Sequence, residues 1–166
     1  GPIMKRLTWL VGPPGAGKTT WAKTQASPSH RIVELDAMLA PILEPSGIHQ
    51  GVLHANGQLV QLIRELELRP ENFQRPPLLV VAGLVPEEAL FAGGPHEEIW
   101  LLLPPRERWE RQLHERPQHH GSRHYYSDYV YAAKWYERFE RWPDSGRNVV
   151  RIATPYYPEL LGKISV

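Results

Sequence analysis

The sequence contains no cysteine. This absence excludes disulfide bonds, zinc sites built from thiolates and cysteine nucleophiles. Also missing is any apolar run approaching the roughly 20 residues that a membrane-spanning helix needs, and no signal peptide precedes the first apolar segment. We therefore expect a soluble, cytoplasmic protein that has no membrane partner.

An excess of charge of either sign is absent as well. Nineteen Lys and Arg residues stand against eighteen Asp and Glu residues, which gives a formal net charge of +1. Bulk charge thus gives no indication of nucleic-acid binding, which would have to depend on local patches. A length of 166 residues is typical of one domain with a buried core. Gly1, Pro2 and Ile3 resemble a scar left by tag cleavage, so we exclude them from the fold. We therefore expect a single domain that covers residues 4–166.

What the sequence does contain is a glycine-rich pattern at 11–20, Val-Gly-Pro-Pro-Gly-Ala-Gly-Lys-Thr-Thr. It matches the phosphate-binding loop consensus of Gly, four variable residues and Gly-Lys-Ser/Thr. The fixed positions are occupied by Gly12, Gly17, Lys18 and Thr19. An apolar segment precedes the loop, and a segment that can begin a helix follows it. A chance glycine-rich turn is the alternative, but the full pattern in this context favours a nucleotide site.

The chemistry of phosphate binding explains each residue type in the pattern. A polyphosphate needs a concave arrangement of backbone N–H donors, and glycine lets the chain come close because it has no Cβ. Amides at the start of the following helix add a positive electrostatic end. Lys18 can reach the β- and γ-phosphates, and the Thr19 hydroxyl can ligate Mg²⁺. The predicted nucleotide-binding residues are Gly12, Pro13, Pro14, Gly15, Ala16, Gly17, Lys18, Thr19 and Thr20.

Strand patterns alternate with helical patterns along the chain. Predicted strands are 7–11, 31–36, 76–83, 98–103 and 148–153. Predicted helices are 18–25, 37–43, 58–67, 86–91, 105–116, 127–142 and 158–164. This alternation predicts an α/β fold with a parallel sheet covered on both faces. Ligands of such sheets bind at the carboxyl ends of the strands, so we expect the loop and Asp36 to lie at one mouth.

Two helical patterns give finer expectations about packing. The section 47–57 is interpreted as a loop that leads into the helix 58–67. The apolar face of that helix is predicted to be Leu59, Leu62, Ile63 and Leu66. In the helix 127–142, which is the longest predicted, the packing stripe is Tyr129, Ala132, Ala133 and Tyr136.

Asp36 is the second candidate for chemistry. It follows the strand after the glycine-rich loop, where a carboxylate could accept the proton of an acceptor hydroxyl or hold Mg²⁺ through water. Aspartate is also a good N-cap for the helix predicted at 37–43. Both roles can hold together, and the position at the mouth of the sheet favours the catalytic one.

Two motifs that would indicate other nucleotide-binding classes are missing. No acid follows the strand 78–82, where Walker-type ATPases place a metal-binding aspartate, and no Asn-Lys-x-Asp guanine motif occurs. These absences count against a motor and a switch GTPase. A small phosphotransferase remains.

An arginine-rich segment at 106–123 is the third element. Arginine suits the developing charge on a transferred phosphoryl group, because its planar fork of donors stays ionised. For Arg106 and Arg111, a solvated helix with Glu–Arg pairs is an equally good interpretation. Arg116 and Arg123 flank a glycine-containing loop, and we predict them as catalytic arginines of a lid at about 116–127.

The glycine-rich loop, Asp36, the run Leu101-Leu-Leu-Pro-Pro-Arg-Glu-Arg-Trp-Glu-Arg and the lid arginines together resemble the P-loop kinases. The similarity is to the branch of nucleoside monophosphate kinases and polynucleotide kinase-like enzymes. It implies a five-stranded parallel sheet in the order 2-3-1-4-5, ATP and Mg²⁺ as cosubstrates, and a lid that closes over the nucleotide. It also implies Asp36 as the general base. Where members of this branch often carry an arginine three residues after the base, this chain has Leu39.

The acceptor is the least defined part of the prediction. Tyr125 and Tyr126, next to Arg123, can either stack on a base or belong to the core. The adjacent His119 and His120 lack a third metal ligand nearby, so solvated side chains are expected there. The leading hypothesis is γ-phosphoryl transfer to a nucleic acid or nucleoside, at a 5′-hydroxyl or a hydroxylated base in DNA. The alternatives are a kinase for a small metabolite, an antibiotic or a nucleoside monophosphate, and a nucleotide-binding module without catalysis.

Overall fold

Five parallel strands form the centre of the protein in a computed structural model, which describes residues 4–35, 48–83, 85–115, 129–142 and 149–152. The strands are β1 (Leu7–Val11), β2 (Arg31–Glu34), β3 (Leu78–Val81), β4 (Glu97–Leu102) and β5 (Val149–Ile152). Their spatial order is β2-β3-β1-β4-β5, and every neighbouring pair is parallel. The α/β class and the strand order 2-3-1-4-5 are therefore confirmed.

Helices connect these strands. The first, α1 (Lys18–Trp21), continues directly into a π-helical turn (Ala22–Ala26), at which the Ser27 amide donates to the Ala22 carbonyl at 3.0 Å. The others are α2 (Ile48–Glu67), α3 (Glu87–Phe91), α4 (Arg106–Glu115) and α5 (Tyr129–Glu140). In the part of the chain that the structure describes, no helix combines the length and the apolar character that crossing a membrane requires.

Strand β1 shows how helices cover both faces of the sheet. Leu7, Trp9 and Val11 lie in a cluster with side chains of α2, α3 and α5. Leu10 lies on the opposite face, where it packs with Ala22 of the π-helical turn. Every residue of β1 is buried. A strand covered on both faces reads as a nearly continuous apolar run, which is the pattern that predicted it.

Helix α2 corrects the sequence analysis in two ways. It begins at Ile48, so the described part of the section interpreted as a loop is helical. Glycine at 57 is tolerated because a Cβ there would lie 3.3 Å from the Pro86 ring, and its absence lets the helix pack closely against that residue. The predicted apolar face is also partly wrong. Ile63 is buried, but Leu62 is 50% exposed and Leu66 is 41% exposed.

Arg64 of α2, whose side chain is 13% exposed, pairs with the carboxylate of Glu97 at the start of β4. Arg64 Nε lies 2.8 Å from Glu97 Oε2, and the Glu97 side chain is only 3% exposed. The indole Nε1 of Trp9 donates to the other carboxylate oxygen at 2.9 Å. A second Arg64 nitrogen donates to the carbonyl of Ala89 at 2.8 Å. This network joins α2, α3, β1 and β4 under the sheet.

Several predicted elements fall outside the described residues. These are the helices 37–43 and 158–164, the lid at about 116–127, and the first two residues of the helix 127–142. The single domain over 4–166 stays a prediction. In the described part of the last of these helices, α5, the packing stripe is confirmed for Ala132, Ala133 and Tyr136, which are buried, but it is wrong for Tyr129, which is 38% exposed.

Candidate functional site

The glycine-rich loop, residues 12–17, joins the carboxyl end of β1 to the start of α1. Gly15 and Gly17 have φ angles of 81° and 90°, which other residues adopt only with strain. Gly12 is needed for a different reason, because a Cβ there would lie 2.4 Å from the carbonyl oxygen of Leu102 in β4. Each of the three glycines thus has a steric reason in the structure.

Gly12→Ala is expected to lower the free energy of unfolding by about 1–3 kcal/mol. The Leu102 carbonyl is backbone of a buried strand and cannot rotate away from the added methyl group as a side chain could. Urea unfolding measures the change. Gly94→Ala is the matched control, since a Cβ at Gly94 would have no atom within 4 Å. Equal stability of the two variants would contradict this steric interpretation.

Lys18 is the first residue of α1 and is only 8% exposed. Its Nζ donates to the carbonyl of Gly12 at 3.0 Å and to the carbonyl of Pro13 at 3.1 Å. The ammonium group therefore lies on the loop itself, at the carboxyl end of β1. Charges interact more strongly where protein replaces water, so a cation in this position can attract an anion effectively.

Thr19, the next residue, contacts a carboxylate that the sequence analysis overlooked. Its hydroxyl donates to Oε1 of Glu34, the last residue of β2. Strand β2 ends two residues earlier than predicted, and the buried Leu35 follows it. The carboxylate at the end of this strand is therefore Glu34. A charged residue closing an apolar strand was the available signal, but it was assigned to Asp36.

Helix α4 also contacts the glycine-rich loop, through three of its side chains. Trp109 Nε1 donates to the Pro14 carbonyl at 2.7 Å, and Gln112 Nε2 donates to the Gly15 carbonyl at 3.1 Å. Trp109 is fully buried. Leu113 lies under Gly15, where a Cβ would come within 3.0 Å of its side chain. Neither Trp109 nor Gln112 was predicted as a site residue, although a lone tryptophan in so charged a helix is a signal of a buried contact.

The arginines of α4 have different surroundings. Arg106 pairs with Glu110 at 3.3 Å and with Glu137 of α5 at 3.5 Å, which favours the structural interpretation for this residue. Tyr129 of α5 also donates to Glu110, at 2.8 Å. The hydrogen bond from Tyr129, and after it the one from Arg106, lowers the pKa of the Glu110 carboxyl group. These contacts tie α5 to α4, while Arg111 is exposed.

The other predicted site residues lie outside the described part of the chain. This holds for Asp36, the predicted base and second metal ligand, and for Arg116 and Arg123 of the predicted lid. It also holds for the neighbouring tyrosine and histidine pairs. Their roles stay predictions. Among the described residues, the structure brings Lys18, Thr19 and Glu34 together beside the loop.

The chain was compared with known proteins. No family model matches it, and no curated protein matches it. A solved structure with a similar fold is the unliganded crystal structure of a sugar kinase from Janibacter sp. HTCC2649. The TM-score is 0.60, and the match covers 96% of this chain and 91% of that chain. The chain shares its fold with a sugar kinase. At 19% sequence identity, the likeness establishes a kinase-like fold and leaves the chemistry to be argued from the site.

Proposed function

We propose that this protein is an ATP-dependent kinase that transfers the γ-phosphoryl group to a hydroxyl of a small metabolite, such as a sugar. The observation that carries the proposal is the glycine-rich loop at the carboxyl end of β1, with Lys18 lying on it and the Thr19–Glu34 pair beside it. In open parallel sheets, ligands bind at this edge. The fold shared with a sugar kinase supports a small hydroxylated acceptor.

The proposed reaction gives each residue one task. Loop amides and Lys18 bind the phosphates and withdraw negative charge from them. Asp36 accepts the proton of the acceptor hydroxyl as its oxygen bonds to the γ-phosphorus. The bond from that phosphorus to the β,γ-bridging oxygen breaks, and ADP leaves. Arg116 and Arg123 stabilise the charge on the transferred group.

Mg²⁺ fits the residues beside the loop. The described residues contain no cluster of three His, Asp or Glu side chains, and Mg²⁺ in kinases is held by one or two protein oxygens together with substrate phosphates. The Thr19 hydroxyl donates a hydrogen bond to Glu34, which leaves the lone pairs of the hydroxyl oxygen available for a cation. Thr19 and, through water, Asp36 would hold the ion. When bound, Mg²⁺ neutralises charge on the phosphates.

A nucleic acid or nucleoside is the second candidate acceptor. It is favoured by the sequence alone, in which Arg116, Arg123, Tyr125 and Tyr126 combine cations with aromatic rings that can stack on a base. This candidate corresponds to the nucleoside monophosphate kinase and polynucleotide kinase-like branch.

An acceptor panel tests the proposed function. The purified protein is incubated with γ-labelled ATP, Mg²⁺ and hexoses, pentoses, polyols, nucleosides, nucleoside monophosphates or DNA oligonucleotides. We expect label in a small hydroxylated compound, and we expect oligonucleotides neither to accept label nor to compete. Label in oligonucleotides would replace the first candidate with the second. Tight ATP binding without transfer to any acceptor would indicate a nucleotide-binding module instead.

The two carboxylates near β2 predict different kinetic defects. Asp36→Asn is expected to lower kcat by about 10²–10⁴-fold, because general base catalysis typically contributes that factor. Glu34→Gln keeps the shape but removes the charge beside Thr19, so we expect mainly a higher Mg²⁺ concentration for half-maximal rate. Steady-state rates over a Mg²⁺ series measure both. If Glu34→Gln lost kcat and Asp36→Asn did not, Glu34 would be the base.

A further inference from the structure

Two side chains of α4 hold carbonyl groups of the glycine-rich loop. Trp109 Nε1 lies 2.7 Å from the Pro14 oxygen, and Gln112 Nε2 lies 3.1 Å from the Gly15 oxygen. We infer that Trp109 and Gln112 are positioning residues, which orient the loop amides for the polyphosphate of the nucleotide. The inference rests on the proposed function, since it assigns these residues to the same nucleotide site.

The geometry of the peptide bond connects each of these carbonyls to an amide. A trans peptide is planar, so its N–H points opposite to its C=O. Fixing the Pro14 carbonyl toward α4 therefore directs the Gly15 N–H away from α4. Fixing the Gly15 carbonyl does the same for the Ala16 N–H, which donates to the Pro13 carbonyl at 3.1 Å. The Trp109 bond thus turns the Gly15 N–H away from α4, and the Gln112 bond supports the turn closed by the Ala16–Pro13 hydrogen bond.

The loop needs such external contacts because of its composition. Glycine adopts more backbone conformations than any other residue, so peptide planes next to Gly15 and Gly17 have many orientations available. A ligand that had to order them would bind more weakly by the free energy of that ordering. Holding two carbonyls in advance removes part of this cost.

Helix α4 is itself held firmly enough for this task. Trp109 is fully buried and packs with Leu113, Ala132 and Tyr136 in a cluster between α4 and α5. Its ring centroid lies 4.6 Å from that of Tyr136. The Tyr136 hydroxyl in turn donates to the Pro104 carbonyl, just after β4. Both donors therefore lie on a helix that is packed against α5, and α5 is in turn bonded to the chain just after β4.

A purely structural role is the alternative, in which the indole and the amide only satisfy buried carbonyls. The test therefore needs a readout that loss of stability alone does not move. We propose Trp109→Phe, which keeps an aromatic ring without the N–H, and Gln112→Met, which keeps the length without the donor. Trp142→Phe is the matched control, because Trp142 is also buried and its Nε1 donates to Glu87 at 2.9 Å, outside the loop.

Calorimetric titration with Mg²⁺-ATP and with ADP gives the nucleotide affinity, and urea unfolding gives the stability of each variant. We expect Trp109→Phe and Gln112→Met each to weaken nucleotide binding about three- to tenfold, the size of one hydrogen bond. The KM for ATP should rise by a similar factor, with kcat changed less. Trp142→Phe should lose stability with unchanged affinity. In amide NMR spectra, the Gly15 resonance should shift in Trp109→Phe but not in Trp142→Phe.

Two outcomes would overturn the positioning role alone, provided that the wild-type protein binds nucleotide normally. One is unchanged affinity in both α4 variants, and the other is an equal loss of affinity in Trp142→Phe. If the wild-type protein bound neither ATP nor ADP, the proposed function itself would fail, and the positioning role with it. Should Trp109→Phe fail to fold, Gln112→Met decides, because Gln112 is only half-buried.

Discussion

Lys18→Met is expected to lower the rate of phosphoryl transfer by about 10²–10³-fold, the range found when a donor that stabilises transition-state charge is removed. Lys18 is the only cationic residue between Val11 and Thr20. Its Nζ lies within 3.1 Å of two loop carbonyls, at the carboxyl end of the central strand. Methionine keeps the apolar stem but removes the charge, so the backbone amides would be left to bind the phosphates without it.

The rate measurement on Lys18→Met requires a control for the loss of charge and a control for folding. Lys23→Met removes an exposed cation from the same helical segment and should leave kcat/KM for ATP unchanged. Lys18→Met also leaves the Gly12 and Pro13 carbonyls without the Lys18 donor, which costs about 1–3 kcal/mol per buried group. Rates are therefore measured on protein shown to be folded by urea unfolding. Activity of Lys18→Met within threefold of Lys23→Met would exclude a phosphate-binding role for Lys18.

The inner strands β1 and β3 were predictable from sequence because they are covered on both faces. Strands β1 and β3 are short apolar runs, and they can be recognised without knowledge of their neighbours. The strand order came with the resemblance to P-loop kinases, which depended on the loop pattern. That pattern is visible because phosphate binding requires glycine and lysine at fixed spacing within a single stretch of chain.

Helix α2 was only partly predictable, because a glycine within it packs against a residue that is distant in sequence. Gly51 and Gly57 argue locally for a loop, and each glycine in a helix costs about 1 kcal/mol relative to alanine. Gly57 is helical because it packs against Pro86, 29 residues later in the chain. The predicted apolar face of the helix was partly wrong for a related reason. Arg64, whose side chain is 13% exposed, pairs with Glu97, and the spacing of apolar residues does not predict such a contact.

The candidate site was also predictable only in part, because some of its contacts join residues that are distant in sequence. Local pattern predicted Lys18 and Thr19, but it could not show that Thr19 donates a hydrogen bond to Glu34, which lies on a strand 15 residues away. The Trp109 bond to Pro14 spans 95 residues, and no periodicity within α4 indicates which backbone groups lie opposite it. Contacts to backbone carbonyls leave no pattern at the accepting residue, since every residue has a carbonyl.

Arg64→Met should be the most destabilising change outside the site, lowering the free energy of unfolding by about 3–5 kcal/mol. The substitution keeps much of the apolar stem but removes the positive charge that lies 2.8 Å from the Glu97 carboxylate. The side chain of Glu97 is 3% exposed, so water cannot replace that charge without opening the sheet. The Ala89 carbonyl of α3 loses its donor at the same time.

A double-mutant cycle with Glu97→Gln separates the ion pair from general loss of packing. The Glu97→Gln change alone leaves the Arg64 guanidinium next to a neutral amide. In the double variant no charge remains at either position, so its loss of stability should be well below the sum of the two single losses. Arg31→Met serves as the comparison, because Arg31 pairs with Glu67 at 2.6 Å but is 25% exposed. We expect that change to cost only about 1 kcal/mol. Additive losses in the cycle, or equal losses for Arg64→Met and Arg31→Met, would show that Arg64 stabilises the fold by packing and not by its charge.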